Sequence, residues 1–181
     1  MTSSFDRAFE LLIGHEGGFT LNRADPGNWT GGKTDKGLLR GTKFGISAAS
    51  FPTLDIAALT LDDARAIYRR LYWDRVQGDQ LPPALALLIF DSAVNNGVAA
   101  AVKLLQASIG TPADGLIGPA TLAALRRSLG NGDPDRVTAV AIEFQARRIV
   151  LMAALSTWAT FGLGWARRLA SLPFQAMRLA S

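Results

Sequence analysis

Cysteine is absent, and histidine occurs once, as His15. The first absence excludes a disulfide scaffold, a thiol nucleophile and a cysteine-ligated metal. The second leaves too few imidazoles for a catalytic zinc site, which draws on two or three. This argues against a zinc amidase or zinc peptidase. A Ser-His-Asp site would have to use His15, and there is no Gly-x-Ser-x-Gly elbow. Charge is sparse too: 19% of residues are charged, against about a quarter in an ordinary soluble domain, and disorder is not expected. Residues Met1 to Arg7 contain no basic segment followed by an apolar run, so no cleavable signal peptide is expected. Synthesis in the cytoplasm with another route of export is the expectation. No metal and no cofactor are expected. What remains is mainly carboxylate chemistry.

The 181 residues, 49% of them hydrophobic, suffice for one full core or a core with a small lobe. A net charge of +4 favours anionic partners without choosing among them. Phe5, Phe9, Leu12 and Ile13 recur at helical spacing and predict a helix over 4–16, capped by Ser4 and ended by Gly17-Gly18. Residues 19–46 are glycine-rich and suit a small hairpin. Thr60 and Asp63 form a capping-box pair. Pro82-Pro83 opens an apolar helix to about Asn96, and another covers Ala99 to Ser108. Pro119 starts a helix ending near Gly130, and a last long helix begins near Pro134. The expected fold is mainly α, with a small β element after the first helix.

Ile149 to Ala166 contains no charged residue and lies between Arg148 and Arg167. Its length barely reaches that of a membrane span, and Gly162 and Gly164 weaken that reading. A buried core helix is preferred. The tail from Arg167 to Ser181 carries three arginines and no acid. It reads as a final amphipathic helix packed on the domain, with a place on a membrane surface as the alternative.

Among the carboxylates Glu16 stands out. On the predicted helix it follows Phe9, Leu12 and Ile13, at the C-terminal end. Desolvation and the helix dipole there both raise a carboxyl pKa. That suits a proton donor in glycosidic cleavage. The competing reading is a helix-end glutamate paired with a lysine or arginine. Asp25, before Pro26 in a polar turn, should be extended and hydrated. It suits a carboxylate that orients water, or simply a turn. Asp91, in an apolar helix with Asn95 one turn on, is the rival second carboxylate and reads as structural. His15 reads as a hydrogen-bonder beside the acid. Trp29, Phe44 and Trp73 suit sugar stacking or core packing equally.

The runs His15-Glu16-Gly17-Gly18-Phe19, Asp25-Pro26-Gly27 and Gly41-Thr42-Lys43-Phe44-Gly45-Ile46 resemble glycoside hydrolase family 108. These are N-acetylmuramidases of phages and bacterial secretion loci. Leu59-Thr60-Leu61, Tyr72-Trp73-Asp74 and Phe90-Asp91-Ser92-Ala93-Val94-Asn95 are similar as well. The resemblance implies a lysozyme-like fold. It maps the acid onto Glu16, the aspartate onto Asp25 and the threonine onto Thr42, with His15, Trp29, Phe44 and Trp73 as substrate-binding candidates. Asp114-Gly115-Leu116-Ile117-Gly118-Pro119 and Phe161-Gly162-Leu163-Gly164-Trp165 resemble the family's predicted peptidoglycan-binding region.

In one respect the chain departs from the family. An extra stretch, Lys33 to Arg40, separates Gly32 from Gly41, so Thr30 and Thr34 rival Thr42 by distance from Asp25. Lys33, Lys36 and Arg40 can contact anionic wall or form a solvated loop. The expected organisation is a catalytic region over 1–98 and a peptidoglycan-binding region over 99–181, in one continuous body. The resemblance implies an endolysin-like lysozyme acting on bacterial peptidoglycan in the periplasm. It is expected to be a monomer without nucleic acid or stable membrane insertion. The alternatives are a lytic transglycosylase, a non-catalytic peptidoglycan-binding or secretion-assisting protein, and a lysis protein that inserts residues 149–166 in a membrane.

Overall fold

The computed structural model describes residues 3–14 and 18–180. Among them are seven α-helices and one two-stranded sheet, so the fold is mainly α. They divide into two compact units, Phe9–Arg69 and Met1–Ala8 with Arg70–Ser181.

The first helix, α1, covers Ser4–Ile13. Its cap is Ser3, one residue before the expected Ser4. The Ser3 Oγ accepts the Asp6 N–H at 3.1 Å, and Asp6 Oδ2 accepts the Ser3 hydroxyl at 2.7 Å. The helix stops at Gly14, whose φ of +61° is left-handed and whose N–H still reaches Glu10 O at 3.0 Å. Gly14 thus ends α1 ahead of the expected Gly17-Gly18, and residues 15 and 16 of the expected helix lie outside the described residues.

In the unit Phe9–Arg69 an irregular stretch leads to the predicted hairpin. Strands β1 (Thr42–Lys43) and β2 (Ile46–Ser47) pair antiparallel, Thr42 opposite Ser47. Both turn residues have positive φ, Phe44 at 52° and Gly45 at 75°, as a two-residue hairpin requires. A Cβ on Gly45 would stand 2.6 Å from the Tyr68 hydroxyl, which itself donates to Phe44 O. Tyr68 ends helix α2 (Leu61–Tyr68), whose start carries the expected Thr60–Asp63 capping box. Phe9, Ile46, Ala48, Ile56 and Ala64 are buried here.

The other unit is built on α3 (Pro83–Asn96). Every residue from Leu85 to Ala93 is buried, as expected of a helix apolar all round. It packs against α4 (Val98–Ser108), α6 (Pro134–Ala153) and α7 (Trp158–Ala180). Trp73 stands edge-on to Phe5 and Phe90, each with ring centres 5.4 Å away. Buried Gln106 gathers Asp114, Gly115, Leu116 and Thr121 ahead of α5 (Pro119–Leu129). That network accounts structurally for the Asp-Gly…Gly-Pro run. Pro173 lies inside α7 and lacks the N–H that would bond Leu169 O. The Gln145 side chain supplies the missing donor, at 2.5 Å.

The expectation of a buried core helix over Ile149–Ala166 is overturned. The segment is the end of α6, a turn and the start of α7, and Ile149, Val150, Leu151, Leu155, Phe161 and Leu163 are exposed. The hydrogen bonds Trp158 N–H to Leu155 O and Phe161 N–H to Thr157 O close the turn. The single last helix from Pro134 is thus two. Among the described residues no helix is long and apolar enough to cross a membrane.

Candidate active site

His15 and Glu16 lie outside the described residues. The other two members of the expected trio, Asp25 and Thr42, belong to the unit Phe9–Arg69.

Asp25 has the extended backbone expected before proline, φ −87° and ψ 114°. It caps the single turn Pro26–Asn28, its Oδ1 accepting the Gly27 N–H at 2.8 Å. The side chain is exposed. No hydrogen bond to Oδ2 occurs among the described residues.

Asn28, three residues on, was not picked out from the sequence. It is fully buried. Its Nδ2 donates to Asn22 O at 2.9 Å, which fixes the amide orientation. Its Oδ1 then accepts the Thr42 hydroxyl at 2.7 Å. Its backbone O accepts the N–H groups of Arg40 and Gly41 at 2.9 and 3.0 Å. Asn28 thus ties the Asp25 turn to strand β1, and its orientation sets the polarity of Thr42. The Thr42 proton is committed to Asn28, so Oγ1 faces any further partner as an acceptor.

The same bonds explain how the extra stretch Lys33 to Arg40 is accommodated. Thr30 N–H bonds Leu38 O, Gly31 N–H bonds Lys36 O, and Trp29 bridges Leu39. The insertion closes on itself, and the chain re-enters at Asn28 beside Gly41 and Thr42. Thr30 uses its hydroxyl to accept the Leu38 N–H within that loop. Thr34 lies on the exposed loop. Of the three threonines, Thr42 is the one joined to the Asp25 turn. Lys33 and Lys36 are exposed, and Arg40 reaches Pro52 O.

The aromatic candidates separate. Trp73 is wholly buried, with its indole N–H on Asp79 and Gly78 against its ring. Trp29 is 6% exposed, its N–H on Arg23 O and the Arg23 guanidinium over its ring. Both are packing residues, which corrects the expectation that they stack on sugars: burial leaves no open ring face. Phe44 is half-buried at the hairpin turn, with the Lys43 ammonium 5.4 Å from its ring centre.

Asp91, the rival carboxylate, is 1% exposed. Oδ2 lies 2.7 Å from Arg148 Nη2 and accepts from Asn95, while Oδ1 accepts from Arg168. Arg148 is itself buried and also donates to Asn96. Burial pulls the Arg148 pKa below its ordinary value, and Asp91 opposes the shift. Both oxygens of Asp91 are committed to holding helices together. Among the described residues no cluster of His, Cys, Asp or Glu is arranged to hold a metal.

The model of the family Glycosyl hydrolase 108 matches residues 9–97, and that of the Predicted Peptidoglycan domain matches 100–170. No curated protein sequence matches the chain. Among solved structures, SagA of Brucella abortus is 32% identical, with a TM-score of 0.77 over 98% of this chain and 95% of that one. A likeness of that extent, on top of the two family models in succession, shows that this chain belongs to glycosyl hydrolase family 108 and is a glycoside hydrolase directed at peptidoglycan.

Proposed function

We propose that the enzyme is an N-acetylmuramidase that hydrolyses the β-1,4 bond between N-acetylmuramic acid and N-acetylglucosamine, with inversion. Glu16 protonates the leaving oxygen. Asp25 and Thr42 hold the attacking water on the opposite face of the sugar. Residues 1–98 carry the chemistry and 99–181 the attachment to the wall. The enzyme acts from the periplasmic side, as an endolysin does in host-cell lysis.

The observation that carries this reading is the Asn22–Asn28–Thr42 relay. With its own proton on Asn28, the Thr42 hydroxyl accepts one hydrogen of a water, and the open Oδ2 of Asp25 accepts the other. A water that donates both hydrogens turns a lone pair toward the sugar carbon. Asp25 then takes the proton that water loses as the C–O bond forms, while Glu16 gives its proton to the departing sugar oxygen. Mass analysis of a peptidoglycan digest tests the assignment. Products ending in reducing N-acetylmuramic acid support it. Anhydro products, lighter by one water, would replace it with a transglycosylase.

A further inference from the structure

The α6–α7 hairpin ends in an apolar tip that the enzymatic reading leaves unused. The Gln145 bond to Leu169 O joins α6 to α7 across the 154–157 turn, well back from it on both helices, so the helices run antiparallel. Near that bond Phe144, Arg148 and Leu169 are buried. Towards the turn the pattern reverses: Val150 is 70% exposed, Phe161 54% and Leu163 68%. Trp158, Phe161 and Trp165 form an aromatic cluster, with ring centres 6.0 and 5.9 Å from Trp165. The Trp158 ring lies where a Cβ on Gly162 would be, 2.8 Å from that position. The 18 residues 149–166 contain no charge. Of the arginines that flank them, Arg147 pairs with Glu143, and Arg148 and Arg168 with Asp91, while Arg167 is exposed at the end of the run.

We propose that this hairpin tip, residues 149–166, seats in the interface of an anionic lipid bilayer, with Arg167 at its rim on the lipid phosphates. Arg147, at the other end of the run, is already paired with Glu143 at 2.7 Å. The dimensions suit an interfacial seat. Five residues of α6 follow Arg148 and nine of α7 precede Arg167; at 1.5 Å each they extend about 7 and 13 Å. An interfacial helix buries its apolar side to a depth of about 5–10 Å. Tryptophans favour that boundary, with an apolar ring body and a polar N–H. Arginine pairs with phosphate through two N–H groups while its stem covers apolar surface. Charge also separates the bilayer from a second copy of the chain as occupant. Two tips face to face would bring their Arg167 side chains together, whereas anionic headgroups complement them.

The test uses the full chain, sedimented with vesicles of phosphatidylglycerol and phosphatidylethanolamine and, separately, of phosphatidylcholine alone. Binding to the anionic vesicles, weakened by salt, is expected. Tryptophan fluorescence should shift to the blue and be quenched by brominated acyl chains, because Trp158 and Trp165 enter while Trp29 and Trp73 stay buried. Leu163→Asp should lower vesicle partition at least about tenfold, and Arg167→Glu should remove the preference for anionic lipid. Both positions are exposed, and circular dichroism confirms that the variants fold. Phe161→Asp provides the same arm at a second position. Absence of wild-type binding to anionic vesicles would overturn the proposal, as would binding undiminished in Leu163→Asp. Self-association, or binding to purified peptidoglycan sacculi, that is lost in Leu163→Asp without any vesicle binding would overturn it as well.

Discussion

Asp25 and Asp91 are the same side chain in opposite circumstances. Asp25 sits on an exposed turn with one oxygen engaged by a backbone N–H. Asp91 sits inside a helical bundle, between two arginines and an asparagine. The first keeps a lone pair open and is surrounded by residues held by other bonds. The second has no open oxygen. On the proposed mechanism the turn carries chemistry and the bundle cohesion, so substitutions in the two units should separate activity from stability.

The largest effect is expected at Glu16. Glu16→Gln should lower the rate about 10²–10⁴-fold, the usual worth of a general acid, with the thermal midpoint near wild type. A rate within about tenfold of wild type would remove it from that role. Next come the two aspartates. Asn at position 25 can still accept the Gly27 N–H, so Asp25→Asn should fold normally and lose at least about 100-fold in rate. Asp91→Asn leaves the buried Arg148 without its counter-ion. It should lose about 3–5 kcal/mol of stability in denaturant titration, with activity per folded molecule preserved. An Asp91→Asn enzyme that is stable but inactive would reverse the comparison.

Thr42 lies between these extremes. Thr42→Val removes the donor to buried Asn28 Oδ1, at a cost of about 1–3 kcal/mol, and removes the acceptor for water. Thr42→Ser keeps both and should recover most of the rate, whereas a packing role alone would make Ser and Val alike. The smallest effect concerns acid. Asp114 is held below the ordinary carboxylate value, first by Gln106 and then by the Leu116 N–H. A carboxylate lowered in the folded state contributes stability above its unfolded value, near 3.8, and loses it as pH falls through the lower folded value. Thermal midpoints should fall in that range, and less steeply in Asp114→Asn.

Much of this was legible in the sequence, because the devices involved are local. The Thr60–Asp63 box and the proline-opened helices each depend on neighbours within a few residues, whereas the hairpin was expected only somewhere within 19–46 and its turn falls at Phe44-Gly45. The Gly14 stop was overlooked because an isolated glycine is tolerated within a helical pattern, and the paired Gly17-Gly18 looked the stronger breaker. Asn28 was hidden for another reason. Its partners Asn22, Arg40, Gly41 and Thr42 lie up to 14 residues away, across an insertion whose closure only the folded backbone reveals. Trp29 and Trp73 show the limit of residue type, since an aromatic ring suits a sugar or a core equally. The run 149–166 shows that lack of charge does not mean burial. A turn after Ala153 breaks it, and no other element covers most of its side chains.

The central claim is that Asp25 and Thr42 hold water across the sugar from Glu16. The anomer formed first at the new reducing end reports this directly. Proton NMR during the first minutes of a peptidoglycan-oligomer digest, before mutarotation, should show the α-anomer of N-acetylmuramic acid accumulating. Its early predominance is the predicted result. A first product in the β configuration would mean that water arrives on the face the leaving group vacated, and would contradict the roles given to Asp25 and Thr42.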